Sequence, residues 1–178
     1  MSDPESSPAA ETHEPTPPPV AESERVFGAT EIVVPVRLYY FDTDAAGVVH
    51  NVAYLRLIEV ARSDLAAQMG WTLAEMHATG CVPVLTRTEI DYVYPARMGD
   101  AAEIYGALQS FDRVRFQFYF EMREPAAVAA TVTGRAPRVF VRCNQTLATL
   151  KMPEGKLLPT PESWRKAYPH LYLQRKKA

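Results

Sequence analysis

The sequence predicts an α+β fold in which a curled antiparallel sheet of about five strands wraps around one long central helix. Three observations predict it. Residues 51–69 repeat apolar side chains at Leu55, Ile58, Ala61, Leu65 and Met69, the spacing of one helix face. Strand-like stretches then take over, the clearest being 113–123, where Val114, Phe116, Phe118, Phe120 and Met122 alternate with Arg113, Arg115, Gln117, Tyr119 and Glu121. Short breaks punctuate the strand connections: Pro95 with Gly99-Asp100, then Phe111-Asp112, then Glu124-Pro125.

Taken in order, residues 32–41 (IVVPVRLYYF) are β-branched and aromatic and read as a first strand, with Pro35 indicating an edge or a bulge. Asp42 to Gly47 form a small, polar break. Asn51 is placed to cap the long helix at its start and Gly70 at its end. Leu57 and Val60 lie off the apolar stripe, which predicts protein on more than one side of that helix. A second, short helix begins at Thr72, where Thr72 and Glu75 stand at capping-box spacing, and Gly80 stops it. Strands are predicted over 82–93, 101–111, 113–123 and about 128–150, the last interrupted by a bulge or bend at Gly134 and Pro137. Thr160-Pro161-Glu162-Ser163 before Trp164 starts a C-terminal helix ending near Pro169, and Arg175, Lys176 and Lys177 read as a solvated basic end.

A chain of 178 residues suits one compact domain with something left over. Residues 1–24 carry six acidic groups and no Lys or Arg, and six prolines fall within residues 1–19. Such a segment buries too little apolar surface to offset its ordering entropy and predicts a disordered acidic tail over 1–28. The predicted domain then spans 29–152, with a C-terminal extension over 153–178. Without the six acidic groups of the first 24 residues, the remainder changes from the whole-chain net charge of −2 to +4. That excess is too small to imply nucleic acid and suits a small polyanionic ligand. No stretch approaches the apolar length of a membrane helix, and the N-terminus lacks a secretion signal, so the expectation is a cytoplasmic protein. Cys81 and Cys143 stand without CxxC or Cys/His spacing, which supports neither a disulfide framework nor a metal site.

The stretch from Tyr39 to Arg62 concentrates the chemistry. Asp42 and Asp44 lie on the loop that leaves a strand, just before a helix whose first N–H groups are unpaired and carry partial positive charge. A carbonyl oxygen placed at that helix start is polarised as it becomes an oxyanion, while a carboxylate on the loop attacks or activates water. Gly47 lets the backbone turn tightly between the two. The same pattern also serves a plain structural purpose, since Asp before a helix satisfies local backbone donors.

This segment resembles the signature of hot-dog-fold acyl-CoA thioesterases of the 4-hydroxybenzoyl-CoA thioesterase class, in which a D-x-D-x-x-G run leads into the central helix with a Tyr in its first turn. The matching residues here are Asp42, Thr43, Asp44, Gly47 and Tyr54, followed by a Y-L-R-x-x-E-x-A-R helix from Tyr54 to Arg62. Ile90-Asp91-Tyr92, Pro95 and Gly99-Asp100 match downstream. The resemblance covers residues 33 to 150 and implies hydrolysis of an acyl-CoA to free acid and coenzyme A. It implies that Asp44 is the catalytic carboxylate, that the Asn51 backbone N–H polarises the thioester carbonyl, and that Gly47 and Tyr54 contact substrate; His50 is a candidate for contacting substrate or the leaving thiol, with a structural hydrogen bond beside the helix start as the alternative. Asp44 is left with two possible roles, nucleophile or general base. No cofactor and no metal are expected, because a thiolate is already a good leaving group.

Many bacterial members of the class carry Tyr-His where this chain has His50-Asn51, which displaces the usual His by one place. Ala46 and Val48 stand where plant-type acyl-carrier-protein thioesterases place Asn and His. Glu59 is a second candidate acid, but Arg56 and Arg62 lie three residues to either side and favour an ion-paired structural role. Tyr39, Tyr40, Tyr92 and Tyr94 are candidates for lining an acyl pocket, and Arg97, Arg113, Arg115, Arg138 and Arg142 for meeting the phosphates of coenzyme A. Two rival readings stay open: a domain that binds acyl-CoA or acyl carrier protein without turnover, and a hot-dog dehydratase. The characteristic His-Phe-Pro type loop of the dehydratases is missing. One such unit leaves a sheet edge and a helix face uncovered, and the resemblance likewise implies a homodimer or homotetramer with sites at the interface.

Overall fold

The computed structural model describes residues 30–131 and 135–174. The acidic tail expected over 1–28, Gly134 and the basic end at 175–177 lie outside the described residues. Strand β1 (Glu31–Val36) leads through a single 3-10 turn at Tyr40–Asp42 to helix α1 (Asn51–Gln68). Helix α2 (Leu73–Thr79) follows, then β2 (Cys81–Tyr92), β3 (Ala102–Phe111), β4 (Arg115–Arg123), a one-turn helix α3 (Ala126–Ala129), β5 (Val139–Lys151), β6 (Lys156–Leu158) and α4 (Glu162–Ala167). The strand order is β1-β3-β4-β5-β2, every pair antiparallel, with β6 added to β5.

The alternation read in β4 orients the sheet. Phe116, Phe118, Phe120 and Met122 are buried, and they meet Ala53, Leu57, Ile58, Ala61 and Leu65 of α1 in one core. Aromatic side chains of this size dominate the apolar area removed from water, and here they fix α1 against the concave face. At Gly106 of β3 a Cβ would stand 2.7 Å from Phe120 Cε1, so only glycine lets that ring lie flat on the neighbouring strand. Turn chemistry behaves as predicted at α2, where Thr72 Oγ1 accepts the Glu75 N–H at 3.2 Å and Gly80 closes the helix at φ +63°.

Four local expectations change. The first strand stops at Val36 rather than running to 41, because the Asp42 carboxylate accepts the Tyr39 N–H at 2.9 Å and Tyr39 C=O accepts the Asp42 N–H at 3.0 Å, which winds 40–42 into a turn. His50, not Asn51, caps α1: its Nδ1 accepts the Ala53 N–H at 3.2 Å. At the other end Met69 is the capping residue, and Gly70 at φ +92° turns the chain just beyond it. The last strand, expected from about 128, starts only at Val139, and 128–129 belong to a helical turn over Ala126–Ala129, since Pro125 opens a run of alanines with high helix propensity.

Helix α1 is covered on one side only within this chain. Leu55, on the predicted stripe, and Val52 and Val60 are exposed at 37%, 61% and 49%. Beyond residue 152 the chain joins the same core: Trp164 of α4 is fully buried, with its ring 5.1 Å from Trp71 and 5.5 Å from both Phe111 and Phe116.

Candidate active site

Between β1 and α1 the chain makes a small hairpin. Asp42 C=O accepts the His50 N–H at 2.9 Å, Thr43 bridges Val49, and the Asp44 N–H donates to Val48 C=O at 2.9 Å. Gly47, at φ +70°, closes the turn by donating its N–H to Asp44 C=O at 2.9 Å. The two acids of the motif part company here. Asp42 is buried, with one oxygen on the Tyr39 N–H and the other paired with Arg56 of α1. Asp44 is exposed. Its Oδ1 accepts the Ala46 N–H at 2.8 Å and the Val48 N–H at 3.4 Å, the local satisfaction expected of an Asp in a turn.

The hairpin ends at the start of α1. Amides in the first turn of a helix have no partner within it, and the first of them here is Asn51, exposed at the same end of the molecule as Asp44. His50 stands half-buried between the two with Nδ1 engaged on Ala53. An acceptor Nδ1 requires the tautomer protonated at Nε2, so the free ring nitrogen is a donor. A carboxylate, a helix terminus and an imidazole N–H on one short hairpin form an arrangement able to polarise a carbonyl and attack it.

Tyr54 turns inward. It is 3% exposed, its hydroxyl accepts the Ala96 N–H at 2.9 Å, and its ring meets Tyr92 edge-on at 5.6 Å. Burial pushes its pKa above the ordinary tyrosine value, with the Ala96 hydrogen bond opposing. Ala96 also accepts the Val49 N–H through its carbonyl at 2.8 Å, so the loop after β2 braces the hairpin. Sequence reasoning missed Ala96, because Pro95 and Gly99-Asp100 mark only a turn and this pairing is remote in sequence. Tyr54 and Tyr92 help line a cleft of about 200 Å³ beside Val49. Tyr39, Tyr40, Tyr92 and Tyr94 are exposed rather than core.

Glu59 is exposed and paired with Arg62, whereas Arg56 goes to Asp42 and not to Glu59. Arg62 also donates to the buried Gln145 Oε1 at 3.1 Å. These residues edge a groove of about 510 Å³ between α1, α2 and the sheet, lined by Glu59, Arg62, Trp71, Met76, Phe118 and Leu147. Of the five candidate arginines, Arg138 and Arg142 are engaged by carboxylates of their own chain, and Arg97 reaches the hairpin, with Nη1 3.5 Å from Ala46 C=O. Cys143 is buried and its thiol pKa is pushed up to about 11 by that burial, which makes it a packing residue and no nucleophile. Among the described residues no cluster of His, Cys, Asp or Glu could hold a metal, and no helix is long and apolar enough to cross a membrane.

A family model described as the thioesterase-like superfamily matches residues 40–167. The chain is 34% identical over 76 residues to acyl-CoA thioester hydrolase YbgC of Escherichia coli, an alignment covering 43% of this chain and 57% of that protein. It is 27% identical over 136 residues to 1,4-dihydroxy-2-naphthoyl-CoA hydrolase of Thermosynechococcus vestitus, covering 74% of this chain and 86% of the relative. In structure it resembles the 1,4-dihydroxy-2-naphthoyl-CoA thioesterase Slr0204 of Synechocystis, with a TM-score of 0.63, 22% identity, and coverage of 79% of this chain and 97% of the other. At that identity the structural likeness establishes the hot-dog fold, and the match over 40–167 takes in the acidic hairpin, α1 and strands β2 to β6. The chain therefore belongs to the thioesterase-like superfamily.

Proposed function

We propose that this thioester hydrolase cleaves an acyl-CoA to the free acid and coenzyme A, with Asp44 as the acting carboxylate and the Asn51 N–H polarising the thioester carbonyl. The observation that carries this reading is the hairpin, which joins an exposed carboxylate directly to the first residue of α1, the exposed Asn51. As the carbonyl carbon becomes tetrahedral, negative charge collects on its oxygen at the helix terminus, where the macrodipole and the first amides stabilise it. Collapse expels the coenzyme A thiolate. Asp44 Oδ2 either attacks, forming a mixed anhydride that water then opens, or takes a proton from the attacking water. His50 caps the helix through Nδ1 and offers its Nε2–H to the substrate side. Arg97, exposed beside Ala46, is the arginine best placed for a coenzyme A phosphate.

The acyl group follows the uncovered face of α1. Val52, Leu55 and Glu59 share that face, and the groove at Glu59 starts eight residues beyond Asn51, about 12 Å along the axis. A second copy of the chain is the natural wall for this face, since α1 leaves Val52, Leu55 and Val60 exposed and β2, an edge strand of the sheet, carries exposed Leu85 and Tyr92. The named relatives that act on 1,4-dihydroxy-2-naphthoyl-CoA support an aromatic acyl group among the substrates.

Thiol release over short, long, branched and aromatic acyl-CoAs, run on wild type and Asp44→Asn, tests the reading. Turnover should fall on the order of 10³-fold in the variant with little change in KM. Retained turnover in Asp44→Asn overturns it. Binding without release favours the non-catalytic domain, and hydration of an enoyl substrate the dehydratase. Label found in the Asp44 carboxylate after a single turnover in ¹⁸O-labelled water identifies the nucleophile, with water opening the anhydride at the Asp44 carbon; opening at the acyl carbon labels only the product, and trapping of the acyl-enzyme then distinguishes it from general-base catalysis.

A further inference from the structure

The loop from Pro95 to Asp100 is sewn to the Asp44 hairpin and to α1 together. Ala96 gives its N–H to Tyr54 Oη at 2.9 Å and takes the Val49 N–H on its carbonyl at 2.8 Å, while Arg97 forms a bridge with Val48, opposite the backbone of Asp44. What holds this loop in place lies on its far side. Asp100 Oδ2 accepts the Arg97 N–H at 2.8 Å, the Asp100 N–H returns to Arg97 C=O at 3.0 Å, and Asp100 Oδ1 accepts from Arg138 Nη2 at 3.0 Å. Both carboxylate oxygens of Asp100 are thereby committed, one to the loop and one to the strand side of the molecule.

Arg138 is an unusually fixed partner. Its Nη2 also reaches Glu124 Oε1 at 3.3 Å, its own N–H donates to Glu124 Oε2 at 3.3 Å, and Glu124 is buried. The guanidinium lies over Tyr94 at 5.3 Å and over Phe140 at 5.6 Å. A planar cation held by two carboxylates and two aromatic faces has little rotamer freedom left, so the orientation of Asp100 is set by the sheet and not by solvent.

We infer that the Asp100–Arg138 pair is a positioning device for the hydrolytic site: through Arg97 and Ala96 it fixes the Asp44 hairpin against the first turn of α1, without touching substrate. The inference rests on the reading of Asp44 as the acting carboxylate. Its physical content is that the hairpin is held at two places, at Asp42 by the Tyr39 N–H and Arg56 of α1, and past Asp44 by the loop from Pro95 to Asp100. Asp44 is exposed, its turn is closed by three internal backbone contacts, and the backbone pairing of Val48 and Val49 outside the hairpin goes to this one loop. A shift of the order of 1 Å between an attacking group and its oxyanion donors costs up to about 100-fold in rate.

The test uses the full-length protein with Asp100→Asn, Arg138→Met, Arg138→Lys and Asp44→Asn. Steady-state kinetics on the acyl-CoA that wild type turns over fastest are combined with thermal unfolding and amide exchange of the peptide containing Val49. Asp100→Asn and Arg138→Met should lower kcat about 10-fold or more with KM within about twofold, and speed exchange at Val49; Arg138→Lys, which keeps the charge, should recover part of the loss. A purely structural pair predicts otherwise: lowered Tm with kcat and Val49 exchange unchanged in Asp100→Asn overturns the inference. Should Arg138→Met fail to fold, Asp100→Asn decides, since it keeps the volume and an acceptor for the Arg97 amide. Loss of turnover in Asp44→Asn alongside normal kcat in Asp100→Asn removes this inference alone, whereas turnover retained in Asp44→Asn removes the reading beneath it.

Discussion

Replacing Tyr54 by Phe removes one oxygen from the inside of the site and nothing else. The hydroxyl is the acceptor for the N–H of Ala96, a residue with no exposed surface, and the Tyr54 ring itself is 3% exposed. With the oxygen gone no water reaches that amide, and an orphaned buried donor costs about 1–3 kcal/mol. The phenyl ring keeps its packing and its edge contact with Tyr92 at 5.6 Å, so no cavity adds to the loss. For a domain of this length each kcal/mol lowers Tm by roughly 2–4 °C, which places the expected fall at about 2–12 °C. Calorimetry reads the stability, and thiol-release kinetics on the same preparation read the site. Because Ala96 also holds Val49, kcat should fall while KM stays near wild type. A hydroxyl that bound substrate, as family resemblance implies for Tyr54, gives the opposite pair of results: KM raised and Tm unmoved. Equal stability of Tyr54→Phe and wild type would refute the account of the buried hydrogen bond.

Two further perturbations address the frame around the site. Trp164→Ala removes a fully buried indole from between Trp71, Phe111 and Phe116, and should cost about 3–5 kcal/mol and lower Tm by roughly 10 °C; a fall of less than about 2 °C would show that α4 does not share the core. Burial of the Glu124 carboxyl opposes its ionisation, but hydrogen bonds from Arg135 and Arg138 outweigh this and hold it below the usual carboxylate value of 4.5. The folded state then binds fewer protons than the unfolded chain in acid, so this stabilisation is complete above about pH 4.5 and is lost as the pH falls through the lower, folded value. Chemical denaturation from pH 7 to pH 3 should show a shallower acid loss for Glu124→Gln than for wild type, and identical slopes would refute the pairing.

What the sequence made legible was local. The α2 cap at Thr72 and Gly80 is written in adjacent residues, and so is the period-2 burial of Phe116, Phe118 and Phe120, because a strand with one wet face shows its register directly. Long-range competition was not legible. Tyr39 to Phe41 have strand propensity, yet Asp42 captures the Tyr39 amide and Arg56 pulls that carboxylate down onto α1, so a side chain 14 residues away ends the strand. Residues 128–129 fail for the converse reason, since the alanines of this turn carry no facial signal and only their propensity speaks. In the hairpin, the tight turn from Asp44 to Gly47 was readable from the motif alone. The division of labour between Asp42 and Asp44 was not, because it depends on which of them meets an arginine from the next element.

On the proposed mechanism, the exposure of Asp44 bears on catalysis through the dielectric. A developing unit charge about 5 Å from the half-charge of a helix terminus gains roughly 0.4 kcal/mol in bulk water, a factor of about two in rate, but roughly 1.7 kcal/mol at an effective dielectric of about 20, a factor of nearly twenty. The hairpin and the Asn51 amide therefore do little as long as water fills the space before them. Within one chain that space is open, and the residues bordering it, Tyr40, Phe41, Val52 and Leu55, are apolar and exposed rather than polar and solvated. A surface of this kind gains by being covered. The same covering that buries Val52 and Leu55 expels water from the carbonyl site, so on the proposed mechanism association of two copies and stabilisation of the oxyanion are one physical event, and the exposed apolar face of α1 belongs to the chemistry as much as the carboxylate does.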